Sequence, residues 1–169
     1  MTRGEKLNLT TEQMESMIEA MMWFWGNLHQ RWRFAAEQEF GLAGTEKIEK
    51  TFIGDVGRSH GRGFKKVLNT GKGISGLMEA FRYLPENFVE PFEIVEQSDK
   101  HLVVKNPCCT VQKARLKKGR EEYPCKDAAI LYFTNFAREI DPDIKMTCII
   151  CPPDEGNNCT CEWRFEAPE

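Results

Sequence analysis

The sequence predicts an α+β fold, with N-terminal helices packed on a C-terminal antiparallel sheet and a helix inserted in the sheet-forming half. Three observations predict it. Apolar residues before residue 40 recur at helical spacing, a second helical stretch dotted with glycines follows, and two late segments alternate apolar and polar residues with a period of two. The 169 residues fit a single domain, with a helical half over 10–85 and a sheet-rich, cysteine-rich half over 90–167.

The first helix should start at Thr10, which with Gln13 has the pattern of a capping box. Met14, Ile18, Met21, Trp25, Leu28, Trp32 and Ala35 then form a stripe at spacings of three and four, and Gly41 is a sensible stop. Such a stripe reads as core, or else as the lining of an apolar ligand cavity in which Trp25 would touch the ligand. Aromatic side chains left exposed on this helix would favour a homodimer.

A second helix is expected over Thr45 to Leu68. Glycine is unfavourable inside a helix by about 1 kcal/mol against alanine, so Gly54, Gly57 and Gly61, all on one face, need a reason. Close approach of another helix or of a ligand would supply one. Arg58 and Arg62, beside His60, read either as a cationic wall for a substrate carboxylate or as surface arginines paired with acids. Ile74 to Leu84 reads as a third helix ended by Pro85.

In the second half, Pro91–Glu96 and His101–Lys105 read as a hairpin about Ser98-Asp99-Lys100. Helices are expected over Cys109–Lys118 and from Pro124-Cys125 to Ile140. Ile144, Met146, Cys148 and Ile150 should share a face of the closing hairpin with Cys161, Trp163 and Phe165. That parity turns Cys148 and Cys161 to the core and leaves Cys151 on the opposite side, at a strand end before Pro152-Pro153.

The net charge of −3 gives no general case for nucleic acid or an anionic membrane. The basic run Lys113 to Arg120 meets Glu121 and Glu122 at once, as on a solvated helix face. The most apolar window, Met17 to Trp25, is interrupted by Glu19 and too short to span a bilayer. With no export signal in view, a cytoplasmic location is expected. There, cysteines serve metals, catalysis or packing more often than disulfides.

All seven cysteines lie from Cys108 onward. Cys148-x-x-Cys151 has the spacing of a zinc or iron–sulfur knuckle, with Cys159-x-Cys161 an irregular second pair. Cys125 follows Pro124 at a helix start, where free N–H groups and the helix dipole favour a thiolate. Lys126 adds charge, and Asp127 could orient a substrate or move a proton. Cys108 and Cys159 read as spares. Of the three histidines, His29 and His101 read as structural or exposed, and no Ser-His-Asp pattern or phosphate loop is visible.

The run Val103-Val104-Lys105-Asn106-Pro107-Cys108-Cys109, the helix start Cys125-Lys126-Asp127 and the closing Cys161-Glu162-Trp163-Arg164-Phe165 carry a resemblance. Over roughly residues 50 to 165 the chain is similar to the L-2-amino-thiazoline-4-carboxylic acid hydrolase-like family and its uncharacterised prokaryotic relatives. The layout also resembles 4-vinyl reductase domains, which bind small ligands. The resemblance implies a site of Cys109, Cys125, Asp127 and Cys161. Glu162 and Trp163 replace the family's usual Asp and Phe, and Cys148, Cys151 and Cys159 are additional, which favours a metal-site variant.

Two functions stay open. One is a hydrolase acting on a small carboxylated heterocycle or thio-compound, with Cys125 as nucleophile, Asp127 handling protons and Arg58 or Arg62 holding the carboxylate. The other is a sensor or carrier of a small ligand without catalysis, in which Cys109, Cys125, Cys151 and Cys161 bind zinc or an iron–sulfur cluster.

Overall fold

The computed structural model describes residues 8–107, 109–158 and 160–168. The chain is α+β, and helix α1 (Thr11–Leu68) supplies most of its helical half. Thr10 and Gln13 cap α1 reciprocally, as their spacing requires. At Gly41 the backbone leaves the helix, with φ 71° and ψ 174°, a conformation open to glycine. The break turns α1 into a hairpin of two limbs, residues 11–40 and 42–68. In a straight helix Arg33 and Glu49 would stand about 24 Å apart. Here they are hydrogen-bonded, and the Trp32 and Phe52 rings lie 5.4 Å apart.

Helix α2 (Gly73–Phe81) is followed by the short α3 (Pro85–Val89). The expected stop at Pro85 is thus a start: α2 closes earlier, and Pro85 takes the first turn of α3, where its missing N–H has no partner to lose. Strands β1 (Glu93–Gln97), β2 (His101–Asn106), β3 (Lys145–Ile150) and β4 (Cys161–Glu166) form an antiparallel sheet in the order β1-β2-β4-β3. Between β2 and β3 lie two helices, α4 (Thr110–Lys117) and α5 (Lys126–Ile140).

The core lies between α5 and the sheet. Leu102 and Val104 of β2 oppose Phe165 and Trp163 of β4, and all four are buried. Phe133, Phe136 and Ile140 of α5 cover them, joined by Leu77 and Phe81 of α2 and by Ile53 of α1. The second limb of α1 packs along α5 through its glycines. A Cβ on Gly57 would stand 2.3 Å from the Tyr132 carbonyl oxygen, and one on Gly61 2.6 Å from that of Phe136. The glycine face therefore accommodates a helix. Lys65 completes the contact by donating to the Glu139 and Ile140 carbonyls at the end of α5.

The first limb corrects an expectation. Met14, Ile18, Met21 and Leu28 of its stripe are exposed, Leu28 by 69%. The face turned to the second limb carries Trp25, His29, Trp32, Arg33 and Ala36. Two apolar faces lie side by side on this limb, and the covered one is the mixed face, because its polar groups have a buried partner. Among the described residues, no helix is long and apolar enough to cross a membrane.

Candidate functional site

Four cysteines reach one region of the interior from four separate segments. Cys125 is the N-cap of α5 and Cys109 the N-cap of α4. Cys161 opens β4 opposite Asn106, the last residue of β2, which brings it near the turn that leads to Cys109. Cys151 lies in the loop after β3, as expected, but is fully buried, against the parity that would turn it away from the core. A β-bulge is the reason. The β3–β4 register passes from Cys148↔Trp163 to Ile150↔Glu162, two residues on one strand against one on the other. Beyond the bulge the parity is reversed, and Cys151 faces inward with Cys161. Cys148 is half-buried against the core, as its parity requires. Cys108 and Cys159 lie outside the described residues.

The loop after β3 is clamped onto α5. Lys126 Nζ meets both Asp154 oxygens at 2.7 and 2.8 Å, Asp154 also accepts from the Cys151 N–H, and the Lys126 N–H donates to the Pro152 carbonyl. The Sγ atoms of Cys125 and Cys151 consequently stand 3.6 Å apart.

The thiols are shifted in opposite directions. The Cys125 thiol is held below its ordinary value, first by the hydrogen bond from Cys151, against the upward push of burial. Arg33 and the Gln112 amide, 3.5 Å from Sγ, add to the effect. Cys151 is driven strongly up, because its proton is shared with Cys125 and Cys161. Burial, helped by the neighbouring sulfurs, lifts Cys109 to about 12, and burial lifts Cys148 to about 11. The lowering at Cys125 thus owes most to a neighbouring thiol rather than to Lys126, which is engaged with Asp154.

The remaining expected site residues are dispersed. Asp127 is exposed and paired with Lys50 at 3.2 Å. Arg58 donates to Asn135 at 2.6 Å and pairs with Asp55. Arg62 pairs with Glu139 at 3.1 Å. These arginines flank the α1–α5 contact, as the surface-pairing alternative holds. Trp25 packs against His29 and His60 between the limbs of α1, with ring centroids at 5.2 and 6.3 Å.

The sequence reading missed Glu49, whose side chain is completely buried. It accepts from Arg33, from His29 at 3.3 Å and from the Tyr123 hydroxyl at 2.7 Å. Burial pushes this carboxyl up, but the hydrogen bonds from His29, Arg33 and Tyr123 and the Arg33 charge bring it down to about 2. Glu49, Ile53, Gly57 and Gly61 are spaced four apart, so a charged residue on the glycine face was the available signal. Gln112 ties the two clusters together. It exchanges hydrogen bonds with the Tyr123 backbone at 2.8 and 2.9 Å and reaches Cys125 Sγ from the same amide. Glu86, in α3, has a buried Oε2 without a hydrogen-bond partner among the described residues, and burial raises its carboxyl to about 7.

Among the described residues, no group of three or more His, Cys, Asp or Glu side chains already stands in an arrangement that would hold a metal ion. A cavity of about 250 Å³ lies elsewhere, against Met78, Phe81, Pro91, Phe92, Leu102 and Val104 rather than along the tryptophan-bearing limb.

A model of a family of unknown function, DUF6125, matches residues 7–167. No curated protein matches, and neither does any solved structure.

Proposed function

The chain belongs to that family of unknown function, and we propose that it is a small-ligand sensor or carrier built on a soft-metal thiolate centre, zinc or an iron–sulfur cluster, held by Cys109, Cys125, Cys151 and Cys161. The observation that carries this reading is the 3.6 Å separation of the Cys125 and Cys151 sulfurs, with Cys161 bonded to the second of them. Two thiolates on one zinc, at about 2.3 Å each and at tetrahedral angles, have sulfurs about 3.8 Å apart. A cation there would take the place of the shared proton, since metal binding to thiols releases protons and draws ligands together as it does so. Cys161 and Cys109 would close on the ion from the start of β4 and the start of α4.

A small apolar ligand would occupy the 250 Å³ cavity. From it, rings run inward: Phe81 stacks on Phe133 at 5.8 Å, and Phe133 lies 5.3 Å from Trp163, two residues along β4 from Cys161. A ligand there could reach the thiol region through side-chain packing.

Metal analysis of the anaerobically purified protein, with cobalt(II) as a spectroscopic substitute, is the test. About one equivalent of zinc, or iron with acid-labile sulfide, is expected, together with thiolate-to-cobalt charge-transfer absorption that disappears in Cys151→Ser. Protein that stays free of metal and takes up no cobalt would rule the centre out.

A second reading is favoured by the lowered Cys125 thiol. Under the resemblance to the L-2-amino-thiazoline-4-carboxylic acid hydrolase-like family, Cys125 would be a nucleophile, but Asp127 is engaged with Lys50 and supplies it with no proton acceptor. Iodoacetamide separates the two readings. Under the metal reading Cys125 is shielded until a chelator removes the ion. Under the nucleophile reading it is alkylated without chelation, at a pH below that of an ordinary thiol.

A further inference from the structure

The first limb of α1 carries a second apolar face that the rest of the described chain leaves open. Met14, Met17, Met21, Phe24 and Leu28 are spaced three, four, three and four, the repeat of a heptad seam. All five are between 43% and 69% exposed, and Ile18 beside them is exposed as well. The limb's other face, with Trp25, His29 and Trp32, is already used against the second limb. A seam of this kind is not needed for the internal hairpin.

We propose that this face is the homodimer interface of the chain, formed by the first limbs of two copies packed seam to seam about a two-fold axis. Six large apolar side chains at about half exposure present on the order of 600 Å², most of the roughly 800 Å² that each partner buries in a standard stable interface. A heptad seam is self-complementary, as a two-fold interface requires, and no charged residue occupies or flanks it between Gln13 and Leu28. Glu12, Glu15 and Glu19 fall on the opposite side of the helix at about 100° per residue, so no like charges meet across the seam. A membrane surface fits the face poorly. Residues 11–30 contain Glu12, Glu15 and Glu19 and no lysine or arginine, the reverse of an interfacial helix. The proposal does not depend on the thiol site.

Light scattering coupled to size exclusion, on the full chain at micromolar concentrations, should give twice the chain mass of 19.5 kDa. Met21→Glu and Leu28→Glu should each return the mass to that of one chain, with the helical circular dichroism unchanged because both positions are exposed. Met21→Ser is the milder variant should a charge disturb the hairpin, and it should weaken the dimer measurably on dilution. A wild-type monomer overturns the proposal. So does a dimer that survives all three substitutions, or a wild-type monomer that sediments with phosphatidylserine vesicles.

Discussion

In the α1 hairpin the buried polar group is a carboxylate with four donors on it; at the start of α5 it is a group of thiols sharing a proton. Glu49 receives two N–H groups of Arg33, one of His29 and the Tyr123 hydroxyl, and its charge is matched by the guanidinium. Cys125, Cys151 and Cys161 face mainly one another, and most of the shifts at the site run upward. A buried ion whose bonds are all made is explained by its partners. Crowded thiols are not, and a cation or a reaction would complete them. The difference makes the first cluster architecture, and the second is where the proposed metal centre would sit. They are nonetheless neighbours, through Gln112 and Tyr123.

Breaking the closed cluster gives the largest expected effect. Glu49→Ala strands Arg33 in the interior, and loss of one partner of a buried ion pair typically costs about 3–5 kcal/mol. Chemical denaturation should show that loss. A change under about 1 kcal/mol would mean that Arg33 readily finds other solvation and that the cluster is less closed than its hydrogen bonds imply.

The pH dependence of stability comes next. Glu49 falls from an ordinary 4.5 to about 2 in the folded chain. Its contribution is therefore present above pH 4.5 and lost as the pH drops from 4.5 towards 2, about 3 kcal/mol in all. His29 and His60 are lowered chiefly by burial, so their protonation below pH 6.5 acts in the same direction. Glu86 has the opposite sign. Its carboxyl is raised to about 7, so its contribution is present below pH 4.5 and lost as the pH rises to 7. Denaturation midpoints across pH 2–8 should show Glu49→Gln with a shallower acid limb than wild type, and Glu86→Gln without the loss above pH 4.5. An unaltered acid limb in Glu49→Gln would remove the carboxylate from the account.

Local rules made much of this fold readable. The Thr10–Gln13 cap, the break at Gly41, both β-hairpins and the span of α5 follow from residues close in sequence. What escaped depended on distant partners. Period alone cannot say which of two adjacent apolar faces on the first limb is covered. Nothing at Ile149-Ile150, two good strand formers, marks the bulge that turns Cys151 inward. Glu49 finds its partners 16, 20 and 74 residues away. Asp127 adjoins the cysteine region in sequence, but successive helix positions turn by about 100°, and two residues past the cap it points to Lys50 instead. The thiol candidates were better placed, because caps and strand ends are where separate segments converge.

The smallest expected effects test whether the two clusters are mechanically joined. Both depend on how α1 lies against α5: Glu49 sits two turns before Gly57 on one helix, and Cys125 caps the other. Gly57→Ala puts a methyl group 2.3 Å from the Tyr132 carbonyl oxygen, so α5 must shift. Such overpacking should cost about 1–3 kcal/mol in spite of alanine's better helix propensity. Gly63, on the same limb, has nothing within 4 Å of its missing Cβ, and Gly63→Ala should gain up to about 1 kcal/mol. A shifted α5 also carries Cys125 away from Cys151, which removes the hydrogen bond that contributes most to its low pKa. In metal-free protein, Gly57→Ala should therefore move the alkylation midpoint of Cys125 to higher pH, and Gly63→Ala should leave it in place. If Gly57→Ala loses stability yet keeps that midpoint, the loop clamp of Lys126 and Asp154 moves with α5. The thiol pair would then be a rigid unit of its own, supported by β3 and α5 independently of the α1 hairpin.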